Sequence, residues 1–149
     1  MGLTRLHAHE MSELAAALCA AGLPTEDLGR VGQQFWRFSA PDGALLGYAG
    51  LEVRGREALL RSVVIAAAQR GRGHGRSMVE AVAREAARGG IDRLWLLTLD
   101  AADFFARTGF ARADRTSAPP ALAETAEFAS LCPISAVCMT RDLVAPGHA

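Results

Sequence analysis

Residues 59–87, LLRSVVIAAAQRGRGHGRSMVEAVAREAA, decide how this chain folds. The apolar, β-branched opening up to Ile65 predicts a buried strand. Apolar residues then recur at the spacing of one helix face, at Met78, Val79, Val82, Ala83 and Ala86. Between these two elements, glycines at alternate positions remove side-chain bulk, so that a ligand can approach the backbone. A strand, a glycine turn and a helix N-terminus in this order predict an anion site, most naturally for a pyrophosphate.

The glycine turn, residues 69–75 (QRGRGHG), narrows the kind of site. It has neither the spacing of a Walker loop nor the GxGxxG of a dinucleotide fingerprint, because its third glycine comes two residues after the second. It does contain Arg-x-x-Gly-x-Gly, at Arg70, Gly73 and Gly75, which resembles the acetyl-CoA signature of the GNAT superfamily of N-acetyltransferases. In that family the turn holds the CoA pyrophosphate. The alternative is an ordinary glycine-rich connection between a strand and a helix.

The composition is that of one ordinary globular domain over residues 1–149. Half of the residues are hydrophobic, 21% are charged, and 16 basic residues, all of them arginine, balance 16 acidic ones. We therefore expect neither nucleic acid nor a membrane as a partner. No apolar run is long enough to span a bilayer, and the N-terminus MGLTRLHAHEM lacks the apolar core of a signal peptide. The three cysteines, an odd and low number, predict reduced thiols and a cytoplasmic protein.

Hydrophobic periodicity and turn signals divide the chain into alternating elements. Strands are predicted at residues 3–6, 34–39, 44–54, 59–65, 93–99 and 136–143. Helices are predicted at residues 11–21, 74–88 and 101–108. Gly89-Gly90 is expected to end the second helix, and Gly55-Arg56 to form a tight turn between two strands. Thr25-Glu26-Asp27 is expected to cap a second short turn after the first helix.

Two later stretches extend the resemblance to the GNAT superfamily. LWLLTLDAADFFARTGF, residues 94–110, is similar to a second block of that family, and AVCMTRDL, residues 136–143, is similar to its closing strand. The resemblance covers residues 45–143. It implies an α/β (α+β) fold with a central mixed, mostly antiparallel sheet of about seven strands, splayed at the middle and flanked by helices. It also implies acetyl-CoA as the co-substrate and a homodimer. No metal is expected, because the chain has no Cys-x-x-Cys or His-Cys cluster.

The same resemblance assigns the residues that would bind acetyl-CoA. Backbone N–H groups of Val63, Val64 and Ile65 would polarise the thioester carbonyl, because the family's sheet splays beside this strand. The pyrophosphate would lie on residues 70–76, which are Arg70, Gly71, Arg72, Gly73, His74, Gly75 and Arg76. Thr98 and Asp100 lie where the family lines the sulfur region of the cofactor, and Phe104, Phe105 and Phe110 would belong to the core and the wall of the cofactor site. Asp100 is expected instead to cap the next helix.

Side chains for the chemistry are predicted on the strand at residues 44–54 and on its neighbour. Glu52 is the predicted general base, and Tyr48 lies on the same strand face because side chains alternate. If Gly55-Arg56 is a two-residue turn, Arg61 falls on that face too. A carboxylate and a guanidinium together would suit an acceptor that carries an amine and an acid group. Alternatively, this face is exposed to solvent and Glu52 and Arg61 merely pair there.

The sequence leaves alternatives for the general acid that protonates the leaving thiolate. The family's usual acid is a tyrosine four residues before the glycine of Gly-Phe, and in this chain that residue is Phe105. Tyr48 is the single tyrosine of the chain and lies on a different element. Either Tyr48 takes this role, or a water or a backbone donor assists the leaving thiolate.

Residues 115–136 are similar to the N-acetyltransferases associated with arsenic-resistance gene clusters, and more loosely to short N-acetylglutamate-synthase-like enzymes. The similarity implies a small amino-acid-like acceptor, whose carboxylate Arg115 would bind unless it is an ordinary surface arginine. Cys132 and Cys138 raise the idea of an arsenic–thiolate contact. Cys138 lies in the closing strand, however, and is better explained as a buried small hydrophobe. No Cys-x-x-Cys or His-Cys cluster marks a metal site.

The sequence therefore predicts an acetyl-CoA-dependent N-acetyltransferase for the amine of a small amino acid, or of an arsenic- or phosphorus-containing analogue in toxin resistance. An N-acetylglutamate-synthase-like metabolic enzyme is the alternative within the same class. A non-catalytic module that senses acyl-CoA or an amino acid is the alternative from another class. The missing tyrosine keeps the sensor open as an alternative, whereas the glycine turn and the possible Glu52–Arg61 pair favour an enzyme.

Overall fold

Seven strands form one mixed sheet in the computed structural model, which describes residues 1–143. The strands are β1 (Gly2–Arg5), β2 (Gln33–Ser39), β3 (Leu45–Arg54), β4 (Glu57–Ile65), β5 (Arg93–Thr98), β6 (Ala111–Arg112) and β7 (Val137–Asp142). Their order across the sheet is β1-β2-β3-β4-β5-β7-β6. The β4–β5 pair is parallel, whereas β1–β2, β2–β3, β5–β7 and β6–β7 are antiparallel. The predicted mixed, mostly antiparallel sheet of about seven strands is confirmed.

The α-helices of the described chain are α1 (Met11–Ala20), α2 (His74–Arg88), α3 (Ala102–Arg107) and α4 (Pro120–Ala123). The first three agree with the predicted bounds within one residue, because apolar spacing and glycine stops are local signals. The sequence did not predict α4, β6 or the π-helix at Glu127–Leu131, since each is too short for a periodic pattern. Within residues 1–143, no helix has both the length and the apolar content needed to cross a membrane.

The chain divides into two compact units, of which the first comprises Met1–Glu52 and Leu60–Val82. Its core contains Leu14, Leu18, Phe35 and Tyr48, all buried. Gly50 stands opposite Phe35 in the β2–β3 ladder, and a Cβ there would lie 2.4 Å from the Cδ1 atom of the Phe35 ring. The absence of a side chain at Gly50 therefore lets that ring lie directly over β3.

Among the described residues, the second unit comprises Val53–Leu59 and residues 83–143. Its core consists of Leu59, Trp95, Ala118, Leu122, Phe128 and Cys138. Cys138 is 4% exposed, which confirms the prediction of a buried small hydrophobe. The expectation of one domain over residues 1–149 stays a prediction.

Candidate functional site

The glycine turn has the predicted order of strand, turn and helix. β4 ends at Ile65, a 3-10 turn follows at Ala67–Gln69, and α2 begins at His74. Gly71 and Gly73 each have a φ of 78°, a left-handed conformation that residues with side chains rarely adopt. A Cβ at either position would meet nothing within 4 Å. The backbone conformation of the turn by itself therefore favours glycine at both positions.

Positive charge surrounds this turn. Gly75 is the second residue of α2, whose first turn presents N–H groups without intrahelical partners and the positive end of the helix dipole. Arg70, Arg72 and Arg76 are exposed, and the Nε atom of Arg70 donates to the Ile65 carbonyl at 3.3 Å. Backbone N–H and guanidinium groups are the partners that phosphate oxygens prefer. This arrangement can hold a pyrophosphate, although the assignment of these residues to acetyl-CoA stays a prediction.

A second departure from regular backbone lies inside β4. Ser62 has a φ of 58°, and among residues 1–143 no other non-glycine residue has a positive φ. This conformation costs roughly 1–2 kcal/mol for a residue with a Cβ, and it departs from the extended backbone of the strand on either side. Val63, Val64 and Ile65 follow directly. The kink therefore lies beside the N–H groups that are predicted to polarise a thioester.

A buried charge cluster stands next to this kink, formed by Asp27, Glu52 and Arg61. The three residues are 0%, 1% and 3% exposed. The Nη1 atom of Arg61 donates to Glu52 Oε1 at 3.1 Å and to Asp27 Oδ2 at 2.5 Å, and its Nη2 atom donates to Asp27 Oδ1 at 2.7 Å. The structure therefore brings the predicted Glu52–Arg61 pair together. The alternative expected a pair on a solvent-exposed face, and the exposure is wrong because both side chains are buried. The catalytic role of the pair stays a prediction.

Asp27 was predicted as part of a cap, and this interpretation is wrong for its carboxylate. Both of its oxygens accept from Arg61 instead. Burial raises the pKa of the Asp27 carboxyl, but the hydrogen bonds and the positive charge of Arg61 outweigh burial, so that this pKa lies below its ordinary value. Sequence reasoning missed this partner because 34 residues separate Asp27 from Arg61 and no repeat links them.

The cluster combines one guanidinium with two carboxylates, which gives it a formal charge of −1. The Nε atom of Arg61 donates to the Ser62 hydroxyl at 3.1 Å, and its Cζ atom lies 5.8 Å from the centre of the Phe35 ring. Within residues 1–143, every buried side-chain nitrogen or oxygen has a hydrogen-bond partner. Arg61 is thus held by neighbours of its own chain on three sides. An acceptor carboxylate would have to share this guanidinium with Asp27 and Glu52.

Tyr48 is 3% exposed and packs with Leu14, Leu18 and Phe35 in the core of the first unit. Tyr48 and Glu52 both lie on β3, four residues apart, a spacing that strand alternation places on one face. The role of Tyr48 as the general acid stays a prediction.

The remaining cofactor candidates lie in the second unit. The hydroxyl of Thr98 accepts from the Ala101 N–H at 3.1 Å, and no side chain caps α3. The predicted Asp100 cap is therefore wrong, since the Thr98 hydroxyl takes a backbone N–H at this corner. Phe105 is buried and makes edge-to-face contacts with Phe104 and Phe110, at 5.0 and 5.8 Å between ring centres. These rings contribute to packing, and contacts of Thr98, Phe104 and Phe105 with acetyl-CoA stay predictions.

Arg115, the predicted partner of an acceptor carboxylate, binds backbone carbonyls of its own unit. Its guanidinium donates to the carbonyls of Phe128 at 2.7 Å, Cys132 at 3.0 Å and Pro133 at 2.7 Å. Its Cζ atom also lies 5.7 Å from the centre of the Phe128 ring. This geometry fixes the segment that contains the π-helix. A further role in acceptor binding stays a prediction.

The cysteines of the second unit show no arrangement that would bind a metal. Burial raises the pKa of the Cys138 thiol, although the charge of Arg115 opposes this. Cys132 Sγ donates to Glu127 Oε1 at 3.8 Å. In the part of the chain that the structure describes, no group of three or more His, Cys, Asp and Glu side chains could hold a metal ion.

Comparisons with known proteins agree with this fold. A family model described as the acetyltransferase (GNAT) family matches residues 9–110. A search of curated proteins gives no significant match. Similar solved structures include N-acetylglutamate synthase from Neisseria gonorrhoeae in complex with coenzyme A and N-acetyl-glutamate, with a TM-score of 0.74 and 18% identity over 97% of this chain and 35% of that one. This chain thus spans about a third of the length of the synthases it matches.

Two further structures match over nearly their whole lengths. Rv2747 from Mycobacterium tuberculosis, in complex with CoA, has a TM-score of 0.77 and 21% identity over 97% of this chain and 100% of that one. A spermidine N-acetyltransferase SpeG chimera from Vibrio cholerae and hSSAT has a TM-score of 0.70 and 11% identity over 96% of this chain and 97% of that one. At these identities the likeness establishes the fold.

Proposed function

Because this chain belongs to the acetyltransferase (GNAT) family, we propose that it transfers the acetyl group of acetyl-CoA to the amine of a small, amino-acid-like acceptor. The observation that carries this proposal is the glycine turn. There, two left-handed glycines lead into the N-terminus of α2 beside three exposed arginines. Such a turn suits the pyrophosphate of CoA, because N–H groups and cations converge on one anion.

In the proposed reaction a neutral amine forms a C–N bond to the thioester carbon, and the C–S bond breaks. N–H groups of Val63, Val64 and Ile65 stabilise the developing oxyanion. Glu52 accepts the proton of the amine through one water, because its side chain is buried. Tyr48, a water or a backbone donor assists the leaving thiolate.

For the acceptor, we favour an amino-acid-like molecule, whose carboxylate Arg61 or Arg115 would bind. The similarity of residues 115–136 to arsenic-resistance-associated enzymes supports a role in arsenic or toxin resistance. The odd, low number of cysteines supports a cytoplasmic protein, and the resemblance to the GNAT superfamily supports a homodimer. The fold likeness to N-acetylglutamate synthase favours a metabolic enzyme as the second candidate. Phe105, at the position of the family's usual tyrosine, favours a non-catalytic sensor as the third.

The test is CoA release from acetyl-CoA with glutamate, phosphinothricin and arsinothricin as acceptors, using Gly73→Ala and Gly90→Ala as a matched pair. Both glycines are left-handed, with φ of 78° and 88°, and a Cβ at either would meet open space. Alanine therefore strains both turns similarly, but only Gly73 lies in the proposed phosphate site. We expect the KM for acetyl-CoA to rise about ten-fold in Gly73→Ala and to stay unchanged in Gly90→Ala.

The outcomes separate the three candidates. Turnover of phosphinothricin or arsinothricin supports the resistance enzyme, and turnover of glutamate alone supports the metabolic one. Acetyl-CoA binding without turnover of any acceptor supports a sensor. Failure of the wild-type protein to bind acetyl-CoA would overturn the proposed role of the glycine turn.

A further inference from the structure

The loop between α1 and β2, residues 21–32, is anchored by one buried carboxylate. Asp27 is the single buried residue of this loop, and both of its oxygens accept from Arg61. Gln33 holds the rest of the loop, since its Oε1 atom accepts from the N–H groups of Gly29 at 2.8 Å and Arg30 at 3.2 Å. Its Nε2 atom donates to the Asp27 carbonyl at 2.9 Å. The backbone and the side chain of Asp27 are thus both fixed.

Arg61 connects this anchor with two other elements. The same guanidinium donates to Glu52 on β3 and to the Ser62 hydroxyl at the kink in β4. A bidentate carboxylate fixes the plane of a guanidinium, because two parallel hydrogen bonds leave it no rotation. The orientation that Asp27 imposes on Arg61 is therefore transmitted to the Glu52 carboxylate and to Ser62. Ser62 holds a left-handed conformation that needs such support.

We propose that Asp27 is a positioning residue for acetyl transfer. Through Arg61 it holds the proposed base, Glu52, and the kink that precedes Val63–Ile65 in one geometry. This inference rests on the proposed function, which gives Glu52 and the Val63–Ile65 amides their roles. In this inference Asp27 acts through Arg61, to which both of its carboxylate oxygens are bound.

The test compares Asp27→Asn with Asp42→Asn, which makes the same chemical change in the exposed β2–β3 turn, where Asp42 Oδ1 accepts from the Ala44 N–H at 3.0 Å. Asparagine keeps the shape of Asp27 but removes its charge and one acceptor. Hydrogen–deuterium exchange is measured first, without ligand. We expect exchange at residues 62–65 to rise about ten-fold in Asp27→Asn and to stay at the wild-type level in Asp42→Asn.

A third variant, Gln33→Leu, loosens the loop while leaving the Asp27 carboxylate in place. We expect it to raise exchange at residues 28–30 but not at residues 62–65.

The kinetic test uses an acceptor that the wild type acetylates. We expect kcat to fall about 100-fold in Asp27→Asn at an unchanged KM for acetyl-CoA, and to recover partly in Asp27→Glu. A purely structural role would lower the melting temperature without this split between kcat and KM.

Unchanged exchange at residues 62–65 in folded Asp27→Asn would overturn the inference, as would an equal rise in Gln33→Leu. If Asp27→Asn does not fold, Asp27→Glu is measured in its place. A full loss of kcat in Asp27→Glu, at the wild-type rate of hydrogen exchange at residues 62–65, would also contradict the inference. The exchange measurement needs no substrate. A wild-type protein that releases no CoA therefore refutes the proposed function, whereas uncoupled exchange refutes the positioning role of Asp27.

Discussion

The guanidinium groups of Arg61 and Arg115, one in each compact unit, donate to different kinds of acceptor. Arg61 is buried and bound by the carboxylates of Asp27 and Glu52. Arg115 is half-buried and bound by backbone carbonyls of residues 127–133. The sequence predicted the same role for both, as partners of an acceptor carboxylate. This difference in partners shows that carboxylates make an arginine part of an ionisable cluster. Backbone carbonyls instead let an arginine hold one chain segment in place.

The largest effect is expected from Arg61→Met, which leaves two buried carboxylates without their cation. Removing one partner of a buried ion pair costs about 3–5 kcal/mol, because the remaining charge is uncompensated. We expect the free energy of unfolding, measured by urea denaturation, to fall by about this amount. A loss no larger than that of an exposed ion pair would show that the cluster contributes little.

Arg115→Met should have a smaller effect, since neutral carbonyls are easier to leave without a donor than carboxylates. Charge-assisted hydrogen bonds contribute roughly 1.5–3 kcal/mol, and water can replace part of this at a half-buried site. We expect a moderate loss of stability and faster hydrogen exchange confined to residues 127–133. A loss equal to that of Arg61→Met would remove the distinction between the two arginines.

The stability that each arginine contributes through its partners should respond differently to acid. The pKa of Asp27 lies below its ordinary value of 3.8, so its stabilisation is complete above that value and is lost as the pH falls through the folded-state pKa. The stability difference between the wild type and Asp27→Asn should therefore shrink below pH 3.8. The difference between the wild type and Arg115→Met should persist, because backbone carbonyls do not titrate. Urea denaturation at a series of acidic pH values measures both differences.

The smallest effect is expected from the exposed pair Arg56–Asp92, which serves as a reference for the other two. Arg56 Nε lies 2.7 Å from Asp92 Oδ2, and the side chains are 76% and 60% exposed. The hydrogen bond and charge of Asp92 raise the pKa of Arg56. Solvent and salt screen such pairs, so we expect Arg56→Met to leave the thermal midpoint nearly unchanged. A large shift would mean that short distance alone, without burial, accounts for the effect at Arg61.

Much of the fold could be predicted because its signals are local. The glycine turn, the tight turn at Gly55-Arg56 and the helix stop at Gly89-Gly90 each depend on a few consecutive residues. Strand alternation and that tight turn together also placed Glu52 and Arg61 on one face, and the structure confirms their contact. The short elements α4 and β6 were missed because they contain too few residues for any period to be visible.

The sequence by itself thus determined the strand, glycine turn and helix of the proposed anion site and the pairing of Glu52 with Arg61. Tertiary structure alone decided that Asp27 binds Arg61, that Ser62 adopts a left-handed conformation, and that Arg115 binds carbonyls. The physical reason is that periodicity is set by neighbours within a few residues, whereas an ion pair between a loop and a strand depends on the path of the whole chain. Packing, not local preference, brings a carboxylate 34 residues away to the guanidinium that holds it.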